Sequence, residues 1–78
     1  MKELIEFIAR SLVDDPTKVE VRQDKSGGHV HLELRVARED MGRVIGKSGK
    51  VANSMRTLLK VAASREGKQV TLDVIEPR

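Results

Sequence analysis

Residues 45 to 50 read Ile45-Gly46-Lys47-Ser48-Gly49-Lys50, and these types suit one chemistry, the holding of an anion by main-chain amides. Glycines at both ends of a four-residue turn allow a tight bend, and their missing Cβ atoms let another polymer backbone come close. Gly49 precedes a run with helical spacing, so the first amides of that helix lack internal partners and its positive dipole end faces the turn. Lys47 and Lys50 add mobile positive charge, and Ser48 adds a small hydroxyl donor. The segment from Met41 to Arg65 holds Arg43, Lys47, Lys50, Arg56, Lys60 and Arg65 with no acid, an electrostatic footprint for phosphates. A Gly-x-x-Gly in a chain with six glycines is also an ordinary connection between helices. The central lysine, the apolar Val44-Ile45 pair before the turn and the acid-free helix after it favour phosphate contact.

Other chemistries fit less well. Gly42 to Ser48 imitates a nucleotide-binding P-loop but has three residues between its glycines where four are needed, and its lead-in has helical spacing. His29 and His31 share one strand face with Glu33, yet no third metal ligand of the usual kind is evident. No acidic pair in an evident cleft, and no serine with a base partner, supports catalysis. The expectation is a non-enzyme with no metal and no cofactor.

The elements that must hold the turn follow from hydrophobic spacing. Leu4, Ile5, Ile8 and Leu12 give residues 2–13 one apolar helical face, which Asp14, Asp15 and Pro16 end. Val19 and Val21 alternate with Glu20 and Arg22 over residues 18–24, and Val30, Leu32, Leu34 and Val36 alternate with His29, His31, Glu33 and Arg35. Both are half-buried strands joined by a hairpin at Ser26-Gly27-Gly28. Glu39 and Asp40 open a short helix containing Met41, Val44 and Ile45, and Gly46 ends it. A longer helix runs from Gly49 to about Glu66 with Val51, Met55, Leu58 and Ala62 as its apolar stripe and Gly67 as its C-cap. Val70, Leu72 and Val74 alternate in a last strand. The order is helix, strand, strand, helix, helix, strand. Double-stranded RNA-binding domains run three strands in succession, whereas this chain breaks after two.

Composition narrows the function. At 78 residues there is room for one module, and a core this small is marginal without a staple. Cysteine is absent, which removes disulfides, thiolate metal sites and thiol nucleophiles. Glu3 and Glu6 interrupt any apolar run at the N-terminus, so neither a signal peptide nor a membrane span fits, and a soluble, cytoplasmic protein is expected. Residues 1–34 carry five basic and seven acidic side chains, whereas residues 35–78 carry ten basic and five acidic. Phe7 is the one aromatic residue, which excludes the base-stacking platforms of RRM and OB modules. Nucleic acid must be held by backbone contacts and apolar packing. Phe7, Leu59 and Val61 lie off or at the edge of the apolar stripes and are candidates for burial against a second subunit.

The run Glu39-Asp40-Met41-Gly42-Arg43-Val44-Ile45-Gly46-Lys47-Ser48-Gly49-Lys50, followed by Met55-Arg56-Thr57-Leu58-Leu59, is similar to that of the small bacterial KhpA family of KH domains, over essentially the whole chain. The GXXG loop of KH domains clamps about four nucleotides. With its extra helix and strand placed first, the element order resembles a type II KH domain: α+β, α-β-β-α-α-β, with a three-stranded sheet packed against helices on one face, spanning 1–78 as a single domain. The resemblance implies a cytoplasmic, RNA chaperone-like protein that binds single-stranded RNA. It implies pairing with itself and with a larger KhpB/Jag-type KH protein, in control of cell elongation and division. It places Gly46, Lys47, Ser48 and Gly49 in the phosphate-contacting loop, Arg43 and Ile45 on its leading flank and Lys50 at the start of the next helix. Ser48 stands where glutamine is frequent in the family. Arg56, in the basic helix, completes the expected RNA-binding set. A protein-interaction module without RNA contact is the alternative.

Overall fold

The computed structural model describes residues 1–76. Helix α1 (Lys2–Leu12) leads through a short 3-10 turn, Pro16–Lys18, into strands β1 (Glu20–Ser26) and β2 (His29–Arg35). A second 3-10 turn, Arg38–Asp40, precedes helix α2 (Met41–Ile45), and a third, Lys47–Gly49, links it to helix α3 (Lys50–Arg65). Strand β3 (Gln69–Ile75) closes the chain. The expected order of elements is present.

The sheet runs β1-β2-β3, antiparallel between the first two strands and parallel between the last two. A tight hairpin suffices for the antiparallel pair, and Gly27 with φ +58° supplies its left-handed residue. The parallel pair needs a long crossover, which α2 and α3 provide. Strict alternation buries Val30, Leu32 and Leu34 on one face and leaves His29, His31 and Glu33 half-buried on the other. Val21 and Leu72 join the buried face from the outer strands, and the register sets Leu32 opposite both Gln23 and Leu72. All three helices close over that face, contributing Ile5 and Ala9, Val44, and Met55 and Leu59 to one core.

Two helical stripes differ from the sequence expectation. On α3 the buried set is Ala52, Met55, Leu59 and Ala63, so Leu59 is core and Leu58 is half exposed. The apolar residues of α3 fill two adjacent helical phases that share Met55, and packing against β3 selects between them. On α1, Ile5 and Ala9 are buried while Leu4 and Phe7 lie on the surface. Helix α3 ends in a Schellman arrangement, with Lys68 N–H donating to Ala63 O at 2.9 Å and Gly67 N–H to Ser64 O at 3.1 Å. Gly67, at φ +67°, supplies the required left-handed residue. Among the described residues no helix is long and apolar enough to cross a membrane.

Candidate nucleic-acid interface

Helix α2 is five residues long and stops at Gly46, whose N–H donates to Gly42 O at 2.9 Å. Gly46 has φ +77°, and a Cβ there would stand 2.9 Å from Val51 N and press on the Val51 side chain. Its glycine is required by the chain itself, because the first turn of α3 packs directly on it. Gly49 differs: at φ +75° it needs the left-handed conformation, but a Cβ would meet nothing closer than Asn53 Nδ2 at 3.8 Å. Ser48 between them also has positive φ, +58°, a conformation uncommon for a residue with a side chain.

This geometry decides which amides are available. Gly49 N–H donates to Gly46 O at 3.2 Å and Lys50 N–H to Lys47 O. Lys47 and Ser48 stand in this 3-10 turn ahead of Gly49, its first bonded donor, so the turn itself supplies no acceptor for their N–H groups, and both residues are exposed. No side chain caps the N-terminus of α3. Two adjacent donors at the start of the turn therefore lie just ahead of the positive end of a 16-residue helix, an arrangement suited to one anionic oxygen group.

The cations around the turn divide into two kinds. Lys47 and Lys50 are exposed and make no ion pair among the described residues. Arg43, by contrast, donates through Nη2 to Asp14 Oδ2 at 2.9 Å and lies with Nε 3.3 Å from Asp40 Oδ1. Asp40 is 2% exposed. Its carboxylate also accepts the backbone N–H groups of Asp14 at 3.0 Å and Asp15 at 3.1 Å. These donors satisfy a buried charge and fasten the end of α1 to the start of α2. Arg56 is likewise engaged, with Nε donating to Leu72 O at 3.1 Å and Nη1 to Asn53 Oδ1 at 3.1 Å. Its planar head thus lies against β3, an outer strand of the sheet.

Beside Arg56 runs a shallow groove of ≈ 270 Å³ between α3 and β3, continued by a second of ≈ 330 Å³. Lys60, Val70 and Thr71 line both, so Lys60 belongs to this surface although it was outside the expected set. Val44 is fully buried and cannot touch a base, whereas Ile45 is half-buried. Gly42 is exposed, and a Cβ there would meet nothing within 4 Å. Neither backbone angle nor packing within the chain demands that glycine. A larger cavity, ≈ 1000 Å³, lies elsewhere, and its charged lining of Lys18, Arg35, Arg38, Glu20, Glu39 and Glu76 is balanced. His29 Nε2 and His31 Nδ1 both contact Thr71 Oγ1, at 3.1 and 2.7 Å. Among the described residues no group of three or more His, Cys, Asp or Glu is placed to hold a metal ion.

Residues 2–74 match the family described as KhpA/KhpB, KH domain. The chain belongs to this family. It is similar to the RNA-binding protein KhpA of Clostridium perfringens, with 49% identity over 75 residues that make up 96% of this chain and 100% of that protein. The RNA-binding protein KhpA of Chlamydia trachomatis is 38% identical over 78 residues, the full length of both. Among solved structures, Era in complex with MgGDPNP and a segment of 16S ribosomal RNA superposes with a TM-score of 0.56 at 23% identity. That match covers 94% of this chain and 28% of the other, and it shows a shared fold. In KH terms, Gly46 to Gly49 form the GXXG loop between the two central helices. Arg43, Ile45, Lys50 and Arg56 surround that loop or the α3 face leading from it; Lys50 is unpaired, Arg43 and Arg56 are bonded within the chain, and Ile45 is half-buried against the core.

Proposed function

We propose that the chain acts as a single KH module that holds single-stranded RNA between the Gly46–Gly49 loop and the α3–β3 groove, without catalysis. One observation carries this reading: the exposed Lys47 and Ser48 open the 3-10 turn ahead of its first bonded amide, beside two unpaired lysines, Lys47 and Lys50. A phosphate seated there gains two backbone donors and two positive charges. From the loop, Ile45 and the bare backbone at Gly42 offer apolar contact to a base, and Arg56 and Lys60 line the path along α3. With no aromatic residue in reach for stacking, sequence preference is weak and the affinity is dominated by phosphates.

The curated relatives carry the words RNA-binding in their names, which supports the RNA reading. The finer role follows the family resemblance: a cytoplasmic, RNA chaperone-like protein that forms a homodimer and pairs with a KhpB/Jag-type KH protein in control of cell elongation and division. Leu4, Phe7, Leu58 and Val61, exposed by 36%, 72%, 50% and 52%, are apolar residues available for such pairing. Leu59, also considered from sequence, is fully buried and is not. A second bound copy strengthens weak RNA contacts by avidity. The same exposed apolar residues favour, as a second reading, a protein-interaction module that makes no RNA contact.

The test is RNA binding by a Lys47→Asp, Ser48→Asp double variant, with circular dichroism as a folding control. Aspartate tolerates the left-handed conformation at position 48 better than most residues. The folded variant is expected to lose at least about tenfold in affinity. Unchanged affinity in the folded variant would contradict this loop as the RNA site, and no RNA binding by the parent would leave the interaction-module reading.

A further inference from the structure

The two carboxylates that hold Arg43 are not equivalent. Asp40 is buried and accepts two backbone N–H groups, so its ion-pair contact to Arg43 Nε belongs to the fold. The Asp14 side chain is 77% exposed, and Arg43 is its one hydrogen-bond donor among the described residues. An exposed ion pair of this kind contributes little to stability and is readily exchanged for another anion. Arg43 itself is half exposed and sits on α2, a helix of five residues and thus about 7.5 Å long, at whose far end the phosphate-holding loop begins. A guanidinium binds phosphate at least as well as carboxylate, with two parallel hydrogen bonds.

We propose that Asp14 is an affinity-setting residue: its carboxylate occupies the outer edge of Arg43 until an RNA phosphate displaces it. The inference rests on reading the α2–α3 turn as an RNA clamp. Asp40 keeps Nε and fixes the direction of the side chain, while the Nη2 edge is handed from Asp14 to the nucleic acid. In the free protein the guanidinium is thereby held extended rather than wandering, which lowers the ordering cost when phosphate arrives. The competing carboxylate weakens ligands that bring a phosphate to Arg43, and it leaves those that deliver a single phosphate to the loop alone nearly untouched. Asp14 therefore sets the affinity for a continuous strand that crosses from Lys47 back over α2.

The experiment measures affinity and its salt dependence for a labelled 20-nucleotide single-stranded RNA of mixed sequence. The proteins are the parent, Asp14→Asn, Asp14→Ser, Arg43→Gln, the Asp14→Asn, Arg43→Gln double variant, and Glu39→Gln. Glu39 is an exposed acid in the turn before α2 and controls for simple loss of negative charge. Removing the Asp14 carboxylate is expected to tighten binding about three- to fivefold and to steepen the log–log salt slope by about 0.7. Glu39→Gln should give less than about twofold. In the Arg43→Gln background the gain from Asp14→Asn should disappear. The proposal is overturned if both Asp14 variants bind no more tightly than Glu39→Gln, or if the gain survives without Arg43. Failure of the underlying clamp reading shows separately, as unchanged affinity of the folded Lys47→Asp, Ser48→Asp variant.

Discussion

The backbone nitrogen of Val51 lies 2.9 Å from the place that a Cβ on Gly46 would take. The last residue of α2's cap and the first turn of α3 are thus packed without room for a methyl group, and the bend between the helices is fixed by contact. Gly46→Ala must also hold φ near +77°, which is unfavourable by about 1–2 kcal/mol for a residue with a Cβ. Adding the clash, the variant is expected to lose about 2 kcal/mol or more of stability. Urea denaturation measures this, and a loss below about 0.5 kcal/mol would mean that the bend relaxes freely. Gly49→Ala meets no such obstacle and should lose only the conformational part.

Leu58 and Leu59 are neighbours in sequence on opposite sides of the burial boundary. Leu59 is fully buried and Leu58 is half exposed. Leu59→Ala is expected to destabilise by about 2–5 kcal/mol, a loss that threatens folding in a domain this small. Leu58→Ala should change the stability of the single subunit by no more than about 0.5 kcal/mol. Reversed effects in chemical denaturation at low protein concentration would show that the other phase of α3 faces the core.

Gly42 lies inside α2 without a steric or conformational need for glycine. Alanine there should stabilise the helix by about 0.5–1 kcal/mol, raising the melting temperature. If the bare backbone serves the approach of RNA, the same change weakens RNA binding severalfold, so stability and affinity move in opposite directions. A stabilised variant with unaltered affinity would remove Gly42 from the interface.

The order of elements and the position of the turn were legible in the sequence because they rest on local rules. Strand alternation in Val30, Leu32, Leu34 and Val36 has only two phases, and one of them is plainly polar. Helix α3 was harder: Val51, Ala52, Leu58, Leu59, Ala62 and Ala63 satisfy two neighbouring phases, and only the packing of the finished fold chooses Leu59. The engagement of Arg43 was also invisible, since Asp14 is 29 residues away and meets it only through the docking of α1. Asp40 read locally as a residue favourable to a helix dipole, yet its main work is to bind the amides of Asp14 and Asp15. Lys60 joined the candidate surface for a similar reason, because the groove it lines exists only once β3 lies beside α3.

The proposed RNA contact rests on two backbone groups, the N–H of Lys47 and of Ser48. Backbone amide NMR during titration with single-stranded RNA reads them directly. These two resonances are expected to shift downfield and become protected from solvent exchange on binding, while the Gly46 and Gly49 amides, already bonded to Gly42 O and Gly46 O, change least within the loop. RNA binding that leaves the Lys47 and Ser48 amides unshifted and freely exchanging would contradict it.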